Sequence, residues 1–405
     1  MPWKERDQMS LRTEFVHLAR SGGANVAELC RRFRISRKTG YKWLSRFGRA
    51  GLSGLVDQPR RPHHSPWQTG PAMEEAVLDL RRRHPTWGGR KIRVRLRTLG
   101  HVEVPSASTI TAILHRHGCI AEAESTKRGP MQRFERASPN ELWQMDFKGD
   151  FALGRGGRCY PLTVLDDHSR YSIAVRACGN ERRTTVHNEL TSVFRIYGLP
   201  QAMLMDNGGP WGGTHGRGPG YTRLTAWLLR LDVRVLHGRP YHPQTQGKDE
   251  RFHRTLKQEL LRDRWYGTLA DAQRDFDPWR RIYNTERPHE GIDMEVPASR
   301  YRPSERPMPL TLPPLEYGQD VASRAVNAVG RIQFKGWRVR VSEAFSGGRI
   351  GLRPTSSDGI YHLLWSRFVV GHLDLTTARR GQTVAARLRS LRSLQRTTTD
   401  PEATV

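Results

Sequence analysis

Three acidic residues, Asp146, Asp206 and Glu250, have types and positions that could support catalysis. Asp146 lies inside the apolar run 142–147, and Asp206 ends the apolar run 202–205 just before the turn signal Asn207-Gly208. A charge inside an apolar strand is costly unless it is paired or binds a cation. Asp206 alone could equally be an ordinary strand-end residue. Glu250 follows in a predicted helix, with 59 and then 43 residues between the three acids.

The helix that Glu250 opens, predicted over 247–263, carries a basic polar face. At 100° per residue, His253, Arg254 and Lys257 fall within about 60° of Glu250 around the helix axis. Taken alone, this face is more simply a solvated surface with ordinary ion pairs. Together with the two aspartates, Glu250 predicts a metal site instead. Carboxylates that converge can hold two Mg²⁺ ions about 3.5–4 Å apart for phosphoryl transfer. Oxygen ligands suit that hard cation.

The acids also lie in longer motifs, namely Trp143-Gln-Met-Asp-Phe147, Asp206-Asn-Gly208, and His242-Pro-Gln-Thr-Gln-Gly-Lys-Asp-Glu-Arg-Phe-His253, with Tyr283-Asn284 and Arg287-Pro-His289 beyond them. In this order they resemble the signature boxes of the DDE transposases of bacterial insertion sequences, which share the retroviral-integrase catalytic core. The resemblance is strongest over residues 137–300. It implies a ribonuclease-H-like fold there, with Asp146, Asp206 and Glu250 as the catalytic and metal-binding acids and Mg²⁺ (or Mn²⁺) as cofactor.

Other acids near these motifs are given lesser roles. Asp249 points about 100° away from Glu250 around the helix and is interpreted as a bystander. Asp150, Asp166 and Asp167 are interpreted as turn-capping residues. The predicted DNA-facing companions of the acids are His242, Lys248, His253, Arg254 and Lys257. The Gly-rich stretch 208–220, with seven glycines and two prolines, is either a flap that orders on DNA or an inconsequential solvent loop.

The elements around the acids predict a mixed-sheet α/β layer. Two paired strands, 160–165 and 171–175, precede a helix over 184–197. A helix over 224–231 and a short strand over 233–236 lead to the Glu250 helix, and a further helix follows over 270–283.

The first 136 residues hold 27 Lys and Arg against 12 Asp and Glu. Apolar residues at helical spacing, a turn with Ser36 as N-cap, and a helix over 37–47 predict a helix-turn-helix. Its exposed face would carry Arg37, Lys38, Tyr41 and Lys42. A second helical unit would present Arg90 and Lys91. The alternative is a small helical bundle with a basic solvated face.

The predicted chain is therefore multidomain α/β. In order it comprises a helix-turn-helix DNA-binding domain (1–57), a linker (58–71), a second helical DNA-binding domain (72–121), a linker (122–138), the integrase-type catalytic core (139–301), a Pro-rich linker (302–316), a small β-barrel (317–376) and a disordered tail (377–405). The barrel is predicted from a hairpin over 331–341 with its turn at Lys335-Gly336 and from short strands over 351–353, 360–365 and 368–373. The tail is Arg-, Ser- and Thr-rich with few aromatics, which predicts disorder.

Composition restricts the function classes. A net charge of +27 and a pI near 10.9 favour nucleic acid as partner. No apolar run approaches the ~20 residues of a membrane span, and no signal peptide opens the chain. Four scattered cysteines predict neither disulfides nor a zinc site. We therefore expect a cytoplasmic, nucleoid-associated bacterial protein with no membrane partner.

The resemblance to the DDE transposases, together with the basic composition, implies a transposase that binds the terminal inverted repeats of a mobile element and joins them to target DNA. Double-stranded DNA would be its partner, and family membership implies a homo-oligomer that bridges two ends. Two alternatives remain open, a metal-dependent nuclease that cuts without joining and a non-catalytic DNA-binding regulator from a decayed element.

Overall fold

The computed structural model describes residues 8–57, 68–120, 135–206, 208–209, 211, 221–237, 247–379, 382–391 and 394–396. The chain divides into two compact units, Met1–Thr69 and Gly70–Val405. Within the described residues, no helix is long and apolar enough to cross a membrane.

The first unit is a three-helix helix-turn-helix built of α1 (Gln8–Arg20), α2 (Val26–Arg32) and α3 (Arg37–Ala50). Ser36 caps α3 as predicted, since its Oγ accepts a hydrogen bond of 3.1 Å from the Thr39 amide. The two helices of the motif cross closely at Gly40, where an added Cβ would come within 2.5 Å of Cys30 Sγ. A small residue is therefore needed at this crossing.

The second unit begins with another helical subdomain, formed by α4 (Pro71–Arg83), α5 (Gly89–Thr98) and α6 (Ala107–Arg116). Its own apolar core comprises Val77, Leu80, Trp87, Ile92, Leu96, Ile110, Ile113 and Leu114. The subdomain packs against the following core through polar contacts. Arg95 pairs with Glu286 at 2.7 Å, and Thr86 donates a hydrogen bond of 2.9 Å to Glu259.

The region predicted to be the catalytic core contains β1 (Trp143–Phe147), β2 (Phe151–Ala152), β3 (Arg158–Asp166), β4 (Ser172–Cys178), α7 (Arg183–Tyr197), β5 (Ala202–Met205), α8 (Arg223–Arg230), β6 (Arg234–His237), α9 (Gly247–Leu256), α10 (Leu269–Thr285) and α11 (Pro297–Arg300). The strands form one mixed sheet. β1, β3 and β4 are antiparallel, whereas β5 and β6 continue parallel to β1. The mixed sheet expected from the sequence is confirmed.

Helices cover both faces of this sheet because alternate strand residues point to opposite sides. Leu165 and Val175 pack with α9 and α10, around Phe252 and Phe276. Their neighbours in the strands, Val164 among them, pack with α7 and α8 on the other face. After α9 the chain continues as a π-helical turn, Lys257–Leu261.

The C-terminal region contains β7 (Ala322–Ala325), β8 (Arg331–Phe334), β9 (Trp337–Arg340), β10 (Arg349–Pro354), β11 (Ile360–Trp365), β12 (Phe368–Asp374), β13 (Thr383–Ala385), β14 (Arg387–Leu388) and β15 (Gln395–Arg396). The predicted hairpin at Lys335-Gly336 is present, with positive φ at both residues.

The predicted small β-barrel is not observed. In the described residues the strands form two sheets, ordered β14–β12–β11–β10–β7 (with β15 on β12) and β13–β9–β8, and no closed ring of hydrogen bonds joins them. The apolar interior is shared with the core helix α8 instead. Trp365 Nε1 donates a 2.8 Å hydrogen bond to Ala226 O, and Phe345 packs against Tyr221.

The prediction of a disordered tail after residue 376 is wrong for part of that segment. Strand β13 pairs with β9, and β14 and β15 pair with β12. An Arg- and Ser-rich composition argued for disorder, but a sheet edge offers backbone hydrogen bonds that do not depend on apolar side chains. Leu391 and Leu394 are buried there as well.

Glu259 links the second helical subdomain to the core and supports a stability prediction. Besides Thr86, its carboxylate accepts hydrogen bonds from Arg287 Nε (3.0 Å) and Trp279 Nε1 (3.2 Å), and the Glu259 and Arg287 side chains are only 12% and 9% exposed. Glu259→Ala leaves Arg287 buried without this partner and should cost about 3–5 kcal/mol. Urea denaturation measures this loss, and the exposed Glu305→Ala serves as control. Equal midpoints for the two variants would contradict it.

Candidate active site

Strand register brings Asp146 and Asp206 side by side. Strands β1 and β5 are parallel neighbours in which Trp143 lies opposite Met203 and Gln144 opposite Leu204. The same offset of sixty positions sets Asp146, near the end of β1, opposite Asp206, which directly follows β5. The carboxyl ends of adjacent parallel strands therefore present two carboxylates at one edge of the sheet.

The electrostatics of Asp146 confirm that the two acids interact. Burial raises the pKa of Asp146 to about 6, and the negative charge of Asp206 adds to the rise. Lys148, two residues along, opposes the rise only in part. The Asp146 carboxyl also accepts a hydrogen bond of 2.8 Å from the Phe147 amide. Such a group is short of positive charge, which a bound cation would supply.

Asp206 is held by the loop that follows it. Its Oδ1 accepts hydrogen bonds from the Gly208 amide, at 2.9 Å, and from the indole nitrogen of Trp211. Trp211 is itself buried and stacks on Phe147. A Cβ on Gly208 would lie 2.9 Å from Asp206 Oδ2, so glycine permits this turn. Most of the Gly-rich stretch 208–220 lies outside the described residues, and its two interpretations stay predictions.

Helix α9 approaches Asp146 through His253. Its Nδ1 lies 3.9 Å from Asp146 Oδ2, and its Nε2 lies 2.7 Å from the hydroxyl of Thr163. Thr163 also donates a 2.9 Å hydrogen bond to Asp146 O. Burial, together with the charge of Lys148, lowers the pKa of His253 to about 3. His253 is therefore neutral and does not neutralise Asp146.

Glu250 and Asp249 are placed differently from expectation. Glu250 is exposed one turn before His253. Asp249, interpreted from the sequence as a bystander, is 3% exposed, and its Oδ1 has no hydrogen-bond partner. Burial raises the pKa of Asp249 well above its ordinary value, and the charges of Asp146 and Asp167 add to this. Asp249 is therefore the buried acid of α9 on which the charge of Asp146 acts, whereas Glu250 is exposed.

A divalent cation fits what the described residues offer, though incompletely. Among them, no three Asp, Glu, His or Cys side chains come close enough together to hold a metal ion. The Asp146 and Asp206 pair supplies oxygen ligands only, as Mg²⁺ prefers, and Mg²⁺ commonly binds one or two carboxylates plus substrate phosphate. The metal assignment of Asp146, Asp206 and Glu250 therefore stays a prediction.

Three acids interpreted as turn residues have structural partners. Asp166 is buried and accepts hydrogen bonds from Asn140 and Ser169 amides and from the Ser169 hydroxyl. Asp150 pairs with Arg158. Asp167 does more than cap a turn, because it accepts hydrogen bonds from Gln144 Nε2 (2.7 Å) and Lys248 Nζ (2.5 Å).

Several predicted DNA-facing residues are turned inward. Lys248 is committed to Asp167, and His253 is only 9% exposed. Lys91 lies against the core, where burial and the charge of Arg287 lower its pKa to about 8. Direct DNA contact by these three is not supported. The sequence could not reveal this because their partners lie on distant segments.

The remaining predicted contacts are better placed for DNA. Arg37, Lys38, Tyr41 and Lys42 are all exposed on α3, and Lys257 is exposed on the π-helical turn. Arg254 is half-buried, and Arg90 is exposed but lies 3.4 Å from Glu290. His242 lies outside the described residues. Three residues at the site were missed from the sequence: Lys148, Thr163 and Trp211. Thr163 pairs with Asp146 in the register, so pairing of 142–147 with 160–165 could have found it.

Comparison with known protein families defines the class of the core. Residues 136–243 and 231–297 match integrase core domains. Residues 11–63 match a helix-turn-helix domain, and residues 39–114 match a homeodomain-like domain. Residues 321–381 match the C-terminal domain of IS481 family transposases. The chain therefore has helix-turn-helix DNA-binding segments and an integrase core.

Relatives with curated descriptions refine this class. The insertion element IS476 uncharacterized 39.2 kDa protein of Xanthomonas euvesicatoria is 28% identical over 68% of this chain and 78% of its own length. The insertion element IS407 uncharacterized 31.7 kDa protein of Burkholderia multivorans is 29% identical over 46% and 65%. The Gag-Pro-Pol polyprotein of sheep pulmonary adenomatosis virus is 32% identical over 31% of this chain but only 7% of the polyprotein.

Solved structures are only distantly similar. The simian T-cell lymphotropic virus intasome in complex with a PP2A regulatory subunit gives a TM-score of 0.34 at 14% identity, covering 72% of this chain and 96% of that chain. The HTLV-2 integrase catalytic core with magnesium gives 0.30 at 13%, covering 41% and 99%. Such low TM-scores add nothing to the assignment. The domain matches and the two insertion-element relatives support an insertion-sequence transposase with a retroviral-integrase-like core.

Proposed function

We propose that this chain cuts and joins DNA strands at the ends of a mobile element, with Asp146, Asp206 and Glu250 as its catalytic acids. The observation that carries the proposal is the pairing of Asp146 with Asp206 at the ends of adjacent parallel strands. Burial beside the negative charge of Asp206 disfavours the ionised form of Asp146 unless a cation binds there. Phosphoryl transfer by bound Mg²⁺ uses such a site.

The chemistry is two successive displacements at phosphorus, each in one step and without a covalent protein–DNA intermediate. The oxygen of water attacks first and frees a 3′-OH, which then attacks a target phosphate while the target's own 3′ oxygen leaves. Bound Mg²⁺ (or Mn²⁺) would supply stabilisation of the charge on phosphate and leaving oxygen. The protein would hold the reacting groups in line, with Asp146 fixed by the Phe147 amide and Asp206 by Trp211.

The position of Glu250 on α9 would allow its carboxylate to reach Asp146 and Asp206. Both Asp249 and Glu250 lie within about 60° of His253 around the helix axis, on opposite sides of it. His253 touches Asp146. Glu250 is exposed on the side open to solvent, where DNA and metal would enter. We propose that its carboxylate turns toward Asp146 and Asp206 when they bind.

A metal-binding experiment tests the site without requiring catalysis. Mg²⁺ should raise the melting temperature of the wild-type protein, since a ligand that binds only the folded state stabilises it. Asp206→Asn should remove most of that rise. An equal rise in both proteins would place the metal elsewhere and remove the support for this site.

The non-catalytic regulator remains the second candidate, and one observation favours it. The helix-turn-helix presents an exposed basic face, whereas the described residues do not gather three metal ligands. The regulator would bind the element ends but never nick them. Mg²⁺-dependent nicking of a duplex that carries the DNA flanking this reading frame would exclude it.

End recognition is proposed to rest on α3. Lys38 is exposed on this helix, at a position suited to a phosphate contact. Lys38→Ala should weaken binding and reduce the slope of log affinity against log salt by about 1. Fluorescence anisotropy across a salt series measures the slope, and Arg302→Ala, which removes an exposed charge outside this unit, is the control. An unchanged slope for Lys38→Ala would mean that α3 does not contact phosphate.

We further propose that two or more copies assemble on the paired ends.

A further inference from the structure

A basic cleft with an exposed tryptophan lies beside the candidate active site. It measures about 260 Å³, and its lining includes Lys148, Asp150, Lys257, Arg262, Trp265 and Tyr266. Lys148 lies two residues beyond Asp146, and its charge partly opposes the rise in the pKa of Asp146 and adds to the fall in the pKa of His253. The cleft therefore begins at Lys148, close in the chain to the proposed catalytic Asp146, and extends to Trp265.

Trp265 is held in place although most of its surface meets solvent. Its side chain is 75% exposed, which is unusual for so large an apolar group. One edge of the indole packs against Gly154, where an added Cβ would overlap the ring. The segment is fixed by two backbone hydrogen bonds, from Gly154 N to Tyr266 O (2.9 Å) and from Arg155 N to Gly267 O (3.0 Å). The adjacent Tyr266 is buried and donates a hydrogen bond to Leu260 O.

Basic side chains line the cleft beside this ring. Lys148, Lys257 and Arg262 line the cleft, and Arg262 is 67% exposed although its Nε lies 3.6 Å from the carboxylate of Asp263. The one acid of the lining, Asp150, is paired with Arg158. An anionic ligand with a flat apolar face matches both features, because the cations would meet its phosphates and the indole its ring.

A paired base in a duplex does not fit the exposed indole of this cleft. In a stacked duplex the faces of the bases are covered, and proteins reach only their edges in the grooves. A tryptophan face becomes useful when a base has left the stack, as in proteins that bind single strands. Lifting a base out is also easiest at a strand end, where fewer neighbours hold it.

We propose that the cleft is a subsite for an unpaired nucleotide of the DNA strand next to the reacting phosphate. Trp265 stacks on the base, and Lys148, Lys257 and Arg262 contact the flanking phosphates. The subsite rests on the proposed function, since it assigns the cleft to the same DNA end that the acids would process. It adds a prediction that the end is opened before reaction.

A binding experiment in EDTA tests the subsite without any catalysis. The probes are a blunt duplex and the same duplex with a three-nucleotide unpaired 3′ tail carrying 2-aminopurine, whose emission falls on stacking. The wild-type protein should quench the tail, and Trp265→Phe should keep most of the quenching. Trp265→Ala should lose it and bind the tailed duplex on the order of tenfold more weakly, with little change for the blunt duplex. Gly154→Ala, which displaces the indole without removing it, should weaken the tailed duplex too.

Leu310→Ala, which also truncates a highly exposed apolar side chain, is the control and should change neither affinity. Equal losses on tailed and blunt probes, or no loss for Trp265→Ala, would overturn the subsite. A change in the oligomeric state of Trp265→Ala on size exclusion, without the loss of quenching, would also overturn the subsite. The test also separates the two proposals, because Asp146→Asn should quench like the wild type. If the wild type quenches but never joins DNA, the proposed function fails and the subsite stands.

Discussion

Asp146→Asn is expected to abolish strand transfer, with a loss of at least about 10²–10³-fold in rate. Asparagine keeps the size of the side chain but removes the charge that would hold a cation opposite Asp206. The same register that sets the two acids side by side means that neither can be replaced by another described carboxylate of β1 or β5. Binding to the element ends should be retained, because α3 lies in the other compact unit.

The measurement is a gel-based assay of cleavage and joining, run beside an end-binding assay on the same preparations. Asp293→Asn is the matched control. Its side chain is 86% exposed, and asparagine tolerates the left-handed backbone at this position. The control should behave as wild type in both assays. Near-normal joining by Asp146→Asn would disprove its catalytic role.

The second large effect separates two neighbouring acids of α9. Glu250→Gln should reduce joining by at least about 10²-fold if Glu250 completes the catalytic set. Asp249→Asn should leave joining close to wild type and make the metal-free protein more stable. The two residues differ in burial. Asp249 is buried and feels the charge of Asp146, whereas Glu250 is exposed.

The stability change has a defined pH dependence. The pKa of Asp249 is raised in the folded state by burial and by Asp146 and Asp167, so its ionisation opposes folding. This penalty is absent below the ordinary pKa of 3.8, grows as pH rises above it, and is complete above the raised folded pKa. Asp249→Asn should therefore raise the melting temperature in EDTA at neutral pH, and the difference should vanish near pH 4 and below.

Thermal denaturation across pH, together with the joining assay, resolves the pair. Loss of joining in Asp249→Asn with retention in Glu250→Gln would exchange their assignments and make the buried acid the metal ligand. Loss in both would point to a joint role for the start of α9.

The sequence was sufficient to place the acids on the right strands. Apolar runs interrupted or ended by aspartate predicted β1 and β5, and parallel pairing then set Asp146 opposite Asp206. It could not give the side of α9 that meets the sheet. Lys248 and His253 were predicted to face DNA because they are polar, yet each has a polar partner, Asp167 and Thr163, on another strand or turn. Only tertiary contacts reveal such pairs.

The C-terminal region shows the same limit on a larger scale. Short strands with turn signals predicted β-structure correctly, including the Lys335-Gly336 hairpin. Closure into a barrel depends on what fills the interior, and here Trp365 and Phe345 pack on the region of α8. The edge strands after residue 382 likewise depend on partners far away in the chain.

Strand joining by a pre-cut end tests the central claim most directly. The wild-type protein would receive a duplex of the element end with a free 3′-OH, plus supercoiled target DNA and Mg²⁺. We predict covalent joining of the end to the target, abolished when the terminal nucleotide is 3′-deoxy, when EDTA replaces Mg²⁺, or in Asp146→Asn. Nicking of the DNA without joined product, or joining that persists in Asp146→Asn, would contradict the account.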